Sequence, residues 1–262
     1  MGIWLGPMGK AMLEAKDIVY GGNYSFTVSP DGEHWELALL SGNAESLVFK
    51  KSPGNCDIFL VAGGLPGQPY SGTQGSDYYG PVHGSNGGKG GGCVTAASVK
   101  LSSNTNYNVD IGTSGENSSF SGGGISYTAG SGNGSNGGTG GVAVNGQYNI
   151  QNATAGSDGV FAYGKNSDTL ITPAFIGHKF GAGGGAGGAH LGVSSTFNAS
   201  GSLGGESNGP NHEYGKGGSG NSGNGTTGYA NHGQGGGGAQ YNYGNATQGL
   251  GGSGIIFIRD AQ

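Results

Sequence analysis

The placement of glycine constrains this chain more than any other feature. Glycine fills 65 of the 262 positions, 28 of them in blocks at residues 84–92, 134–141, 181–188, 215–225 and 233–238. A free glycine run is a flexible tether, because glycine loses more backbone entropy on folding than any other residue. Here strand-forming runs bracket the blocks: Asp57-Ile58-Phe59-Leu60-Val61-Ala62 before them and Gly254-Ile255-Ile256-Phe257-Ile258-Arg259 after them. A tether has no reason to finish on a β-branched and aromatic run that favours burial. The glycine is therefore read as architecture.

Within the blocks glycines recur three apart, at 84, 87, 90; 134, 137, 140; 181, 184, 187; and 217, 220, 223. About three residues per turn is the repeat of polyproline II geometry, and glycine at the contacts lets such chains pack backbone to backbone. Collagen is excluded, since the Gly-X-Y phase breaks repeatedly and prolines number only eight. Hydrophobic residues make up 33% and charged residues 10%. A side-chain core is therefore confined to the first quarter, and backbone hydrogen bonds must hold the rest. The expected fold is all-β, an N-terminal antiparallel sheet or sandwich followed by a polyglycine II bundle clamped by β-strands. Three segments are expected: an attachment segment at 1–20, a β-rich domain at 21–62 and a glycine-rich domain at 63–262.

Strands are expected at residues 24–28, 35–40, 46–50 and 57–62, separated by the turns Pro30-Asp31-Gly32, Ser41-Gly42-Asn43 and Ser52-Pro53-Gly54-Asn55. Further strands are expected at 93–99, 107–112, 142–144, 160–163 and 255–258. Residues 9–16 hold good helix formers in a stretch too short to be stable alone, with an extended attachment segment as the alternative. Ile3, Trp4, Leu5, Met8, Met12 and Leu13 make this opening apolar, which marks an interface onto a larger particle or sister subunits.

Several functions are excluded. Net charge is −5 and Arg259 is the single arginine, so phosphate neutralisation, and with it nucleic-acid binding, is excluded. No apolar run reaches membrane-spanning length and the opening residues lack a basic n-region, so synthesis in the cytoplasm without a signal peptide or membrane insertion is expected. Gly-x-Gly-x-x-Gly matches are unavoidable at this glycine content. Lys89 and Lys216 are each followed by glycine, so the phosphate-loop Lys-Ser/Thr pair is absent. The six histidines lack metal-ligand spacing, and the sparse carboxylates form no glycosidase pair or calcium loop. A non-enzyme without cofactor or metal is expected. Cys56 and Cys93 each open an expected strand and read as small buried thiols, their pairing left open.

Tyrosine is the informative side chain. Among Gly, Ser and Asn it has the composition of adaptable binding loops. Tyr78, Tyr79, His83, Asn211, His212, Tyr214, Tyr229 and His232 are the candidate ligand-binding residues. Their rings suit sugar faces and their amide and imidazole groups suit hydroxyls. The competing reading is packing against glycine strands, favoured for Tyr241 and Tyr243.

The succession Trp35-Glu36-Leu37-Ala38-Leu39-Leu40-Ser41-Gly42, Leu47-Val48-Phe49, residues 57–64, Gly90-Gly91-Gly92-Cys93-Val94 and residues 251–259 resembles glycine-rich tail proteins of tailed phages and prophages of Gram-positive bacteria. More distantly it is similar to the polyglycine II tip adhesins of T-even-like phages. The resemblance covers roughly residues 24–262. It implies a virion tail protein that binds a bacterial surface glycan or protein, partners other tail or baseplate proteins and assembles as a homotrimer. A non-receptor decoration protein is the alternative; an ice-binding bundle is disfavoured, because no flat, regular Thr or apolar face is evident.

Overall fold

Side chains alternate apolar and polar at residues 24–28, 106–110 and 125–129, the period of a strand. The structure, a computed structural model, describes residues 12–29, 32–67, 87–131, 224–238 and 247–261, with four strand pieces at 161–163, 178–180, 189–190 and 198–199. The strands are β1 (Ile18–Tyr20), β2 (Tyr24–Val28), β3 (Trp35–Leu39), β4 (Glu45–Phe49), β5 (Gly54–Val61), β6 (Cys93–Leu101), β7 (Asn106–Asp110), β8 (Ser118–Gly122) and β9 (Ile125–Ala129). After them come β10 (Phe161–Tyr163), β11 (His178–Phe180), β12 (Ala189–His190), β13 (Asn198–Ala199) and β14 (Ile255–Asp260). No α-helix occurs among the described residues.

Two five-stranded antiparallel sheets form, in the orders β1-β4-β7-β8-β9 and β2-β3-β14-β5-β6. Pairs β10–β11 and β12–β13 make two separate ladders. Leu37, Leu39, Ile58, Leu60, Ile256 and Ile258 from one five-stranded sheet share a buried core with Leu47, Phe49, Tyr107, Val109 and Phe120 from the other. Rings line this core in sequence: Trp35 lies 6.4 Å from Phe49, Phe49 6.3 Å from Tyr107, and Tyr107 stacks on Phe120 at 5.3 Å. Each such contact adds about 0.5–1.5 kcal/mol beyond the area it buries.

The chain's final strand is central. β14 lies between β3 and β5, with Phe257 opposite both Ala38 and Phe59. Its last carboxylate, buried Asp260, accepts from the Trp35 N–H at 3.0 Å and lies 2.8 Å from His34 Nδ1, tying the end of β14 to the β2–β3 turn. β5 also pairs with β6, so the sheet joins strands from both sides of residue 62. The register sets Cys56 opposite Val99 and Cys93 opposite Val61, at opposite ends of the β5–β6 ladder. That separation, about 3.3 Å per residue, is too long for a disulfide. The buried Cys56 thiol lies 3.9 Å from the Pro53 carbonyl and 3.7 Å from that of Gly54.

The segment expected as helix or extended attachment is non-helical at 12–14 and makes one 3-10 turn at Ala15–Asp17. Tertiary contacts override its weak propensity. Leu13 is buried in the sandwich core at 4% exposure, and Asp17 is held by Lys51 at 2.9 Å. Leu13 therefore serves the protein's own core instead of an external partner, and Met12 is half-buried.

Candidate functional site

At one end of the sandwich the neighbouring strands β5, β6 and β14 continue into glycine segments 62–67, 87–92 and 247–254, which segments 224–229 and 233–238 join. Gly64 and Gly67 donate to the carbonyls of Gly252 and Gly249, and Gly88 and Gly91 to Gly236 and Gly233. Gly249 and Gly252 donate to Gly237 and Gln234, and Gly225 and Gly228 to Thr247 and Leu250; all eight bonds measure 2.7–2.9 Å. In each of these segments the donors stand three residues apart. Segment 233–238 bonds to four neighbours, because Gly236 also donates to Leu65 and Gly237 to Thr226. A sheet strand has two neighbours, so this region is a lattice and not a sheet.

Space requires glycine here, not dihedral angle. Gly64, Gly67, Gly88, Gly91, Gly249, Gly251 and Gly252 all lie outside the left-handed region. A Cβ on any of them would fall within 3.0 Å of a neighbouring segment's carbonyl oxygen, a separation real Cβ atoms do not adopt. In segment 87–92 the tight donors are Gly88 and Gly91, one residue out of phase with the 84, 87, 90 series read from sequence. The series beginning at 134, 181 and 217 lie outside the described residues. Buried Ser118 joins lattice and sandwich, accepting from the Gly112 N–H at 2.9 Å and donating to the Val61 carbonyl at 2.7 Å.

The turn between segments 224–229 and 233–238 presents Tyr229 and His232. Asn231 and Gly233 both adopt positive φ, 62° each, which lets the chain reverse within a few residues. Buried Gln234 accepts the Tyr229 N–H at 2.9 Å through its side chain. Ser253 accepts the Asn231 N–H through its hydroxyl at 2.9 Å and the Gly233 N–H through its carbonyl at 2.8 Å. The Tyr229 residue is 41% exposed, and its ring meets the His232 ring edge-on at 6.5 Å. His232 Nδ1 lies 2.7 Å from the Ala230 carbonyl. A carbonyl only accepts, so Nδ1 is the donor of this pair.

Of the eight candidate ligand residues, the structure brings Tyr229 and His232 together. Tyr78, Tyr79, His83, Asn211, His212 and Tyr214 lie outside the described residues, as do Ile3, Trp4, Leu5 and Met8 of the expected attachment face. Sequence reasoning did not single out Asn231, Gln234 and Ser253, the supports of the turn. The Asn-x-Gly spacing after Tyr229 was the available signal, since Asn and Gly tolerate positive φ. Among the described residues no three His, Cys, Asp or Glu side chains gather as a metal site, and no helix is long and apolar enough to cross a membrane.

Titrating groups elsewhere are displaced, Tyr20, Asp17 and Glu116 among them. Burial, then the nearby Glu45 and Asp110 carboxylates, push the Tyr20 phenol up to about 12, and its hydroxyl donates to the Ser41 carbonyl at 2.7 Å. The Lys51 ammonium holds Asp17 below the usual carboxylate range. The Thr113 hydroxyl and N–H do the same for Glu116, at 2.6 and 3.1 Å. All three support loops of the sandwich. Compared with known proteins, the chain matches no family model, no curated protein and no solved structure.

Proposed function

We propose that this chain is a receptor-binding protein of a phage tail or phage-derived particle, in which a sandwich carries a polyglycine II bundle that displays the ligand-contacting turn. The observation that carries this reading is the Tyr229–His232 turn, fastened at both ends to a backbone lattice. Rigid support of an exposed aromatic tip is what a binding module requires, because the turn's ordering cost is met on folding and not on binding.

In this reading the apolar residues Ile3, Trp4, Leu5 and Met8 dock the protein onto other tail or baseplate proteins, and the particle holds it as a trimer. The docking segment is shortened to residues 1–11, since Leu13 and Asp17 belong to the sandwich. The test is binding of the purified, labelled protein to intact Gram-positive cells, beside its recovery in assembled particles. Cell binding that Tyr229→Ala reduces supports the receptor role. Incorporation without any cell binding leaves a decoration protein.

A further inference from the structure

Residues 217–258 contain no Lys, Arg, Asp or Glu. Within that stretch, segments 224–229 and 247–250 run side by side through the Gly225–Thr247 and Gly228–Leu250 bonds. The three-residue repeat places Thr226 and Tyr229 in one column and Thr247 and Leu250 in the next, and all four are exposed, Leu250 at 57%. Asn231 and His232 close one end of this strip.

We propose that this uncharged strip is a binding site for a neutral saccharide, an inference that rests on the receptor-binding reading. The Tyr229 ring offers a face for the C–H side of a pyranose, and Leu250 adds a second apolar contact. Threonine hydroxyls both donate and accept, as sugar hydroxyls do. An anionic polymer finds no cation here to pair with its phosphates or carboxylates. A protein partner is disfavoured by the isolated apolar contacts, since a stable protein interface needs an apolar centre within about 800 Å² per partner.

The probe is purified Gram-positive cell wall with its attached polysaccharide, presented untreated, protease-digested, periodate-oxidised, or in high salt. Periodate cleaves vicinal diols and so destroys sugar rings while sparing most peptide. Binding is expected to survive protease and salt and to fall about tenfold or more after periodate, the scale of one lost aromatic contact with its hydrogen bonds. Tyr229→Ala should lower wall affinity by a similar factor, and Tyr229→Phe should retain most of it. Binding that survives periodate, or disappears with protease or salt, overturns the saccharide. So does binding to intact cells but to no wall preparation, which leaves the receptor reading standing; binding to neither removes both. The periodate comparison needs no variant, so it decides even where Tyr229→Ala folds poorly.

Discussion

Replacing Gly249 with alanine separates a lattice held by close backbone approach from one in which glycine is merely tolerated. The added Cβ would lie at or within 3.0 Å of the Thr226 carbonyl oxygen and carbon and the Gly225 carbonyl carbon. These are backbone atoms, so no side chain can rotate aside. Segment 224–229 must move away from 247–250, which strains the Gly225–Thr247 and Gly228–Leu250 bonds and the Gly237–Thr226 bond behind them. Overpacking costs about 1–3 kcal/mol, and each weakened bond about 0.5–1.5 kcal/mol. Alanine's smaller unfolded-state entropy returns about 0.4–1 kcal/mol. The expected net loss is about 1.5–7 kcal/mol, or a fall in Tm of about 3–28 °C for a domain of this size. Thermal unfolding followed by far-ultraviolet circular dichroism and by the fluorescence of core Trp35 reads it out. Two controls define the reasoning. Leu250→Ala, on the same segment but exposed, should stay within about 0.5 kcal/mol of the parent. Gly54→Ala introduces Cβ into open space at φ +80°, isolating the dihedral cost of about 1–2 kcal/mol. If Gly249→Ala is as stable as Leu250→Ala, the lattice does not depend on close approach and the reasoning is refuted.

Ser118→Ala should cost about 1–3 kcal/mol in urea unfolding, because it strips partners from the buried Gly112 N–H and Val61 carbonyl. Asp260→Ala should cost a similar 1–3 kcal/mol or more, about the penalty for leaving the buried Trp35 N–H unpaired. One tyrosine should ionise near 12 in an ultraviolet titration and vanish in Tyr20→Phe. Since the folded value is raised, the stability Tyr20 lends is complete below the ordinary phenol range and declines as pH climbs from about 10 towards 12. Glu116 behaves oppositely: its carboxyl is lowered, so its contribution holds above the usual carboxylate range and is lost on acidification, and Glu116→Gln should flatten the acid limb of the stability curve.

Much of the sandwich was legible because its strands carry their own signals. The pattern of Tyr24–Val28 gave that strand to the residue, and the runs at 35–40, 46–50 and 255–258 came within two residues of β3, β4 and β14. β8 was missed because Ser118–Gly122 is Ser and Gly except for buried Phe120, and β9 because the alternating Ile125–Ala129 is only five residues long and follows three glycines. Where β14 sits was not legible at all. Nothing local in Ile255–Asp260 names its partners, and the pairing with β3 spans most of the chain. At the site, Tyr229 and His232 stood out by residue type, while Gln234 and Ser253 act through a buried amide and a hydroxyl that resemble every other polar residue in a glycine block.

The hand-over from sheet to lattice follows from the same geometry. β5, β6 and β14 are adjacent and antiparallel, so the C-terminal end of the first and the N-terminal ends of the other two emerge together. In a sheet each strand spends its hydrogen bonds in one plane and relies on side chains to fill the third direction. Beyond Ala62 and before Gly254 glycine takes the contact positions, and the third direction is filled there by backbone instead: Gly63 donates to Glu116, Gly254 to Gly112 and Gly92 to Gly130. The sandwich thus fixes the spacing and direction of three chains, and glycine lets segment 233–238 pack against all three and segment 224–229 against 233–238 and 247–254. The side chains of Tyr229 and His232 at the turn, like those of the exposed Thr226, Thr247 and Leu250 within the segments, lie outside the close approaches that Gly228 and Gly236 make, so they can be accommodated there.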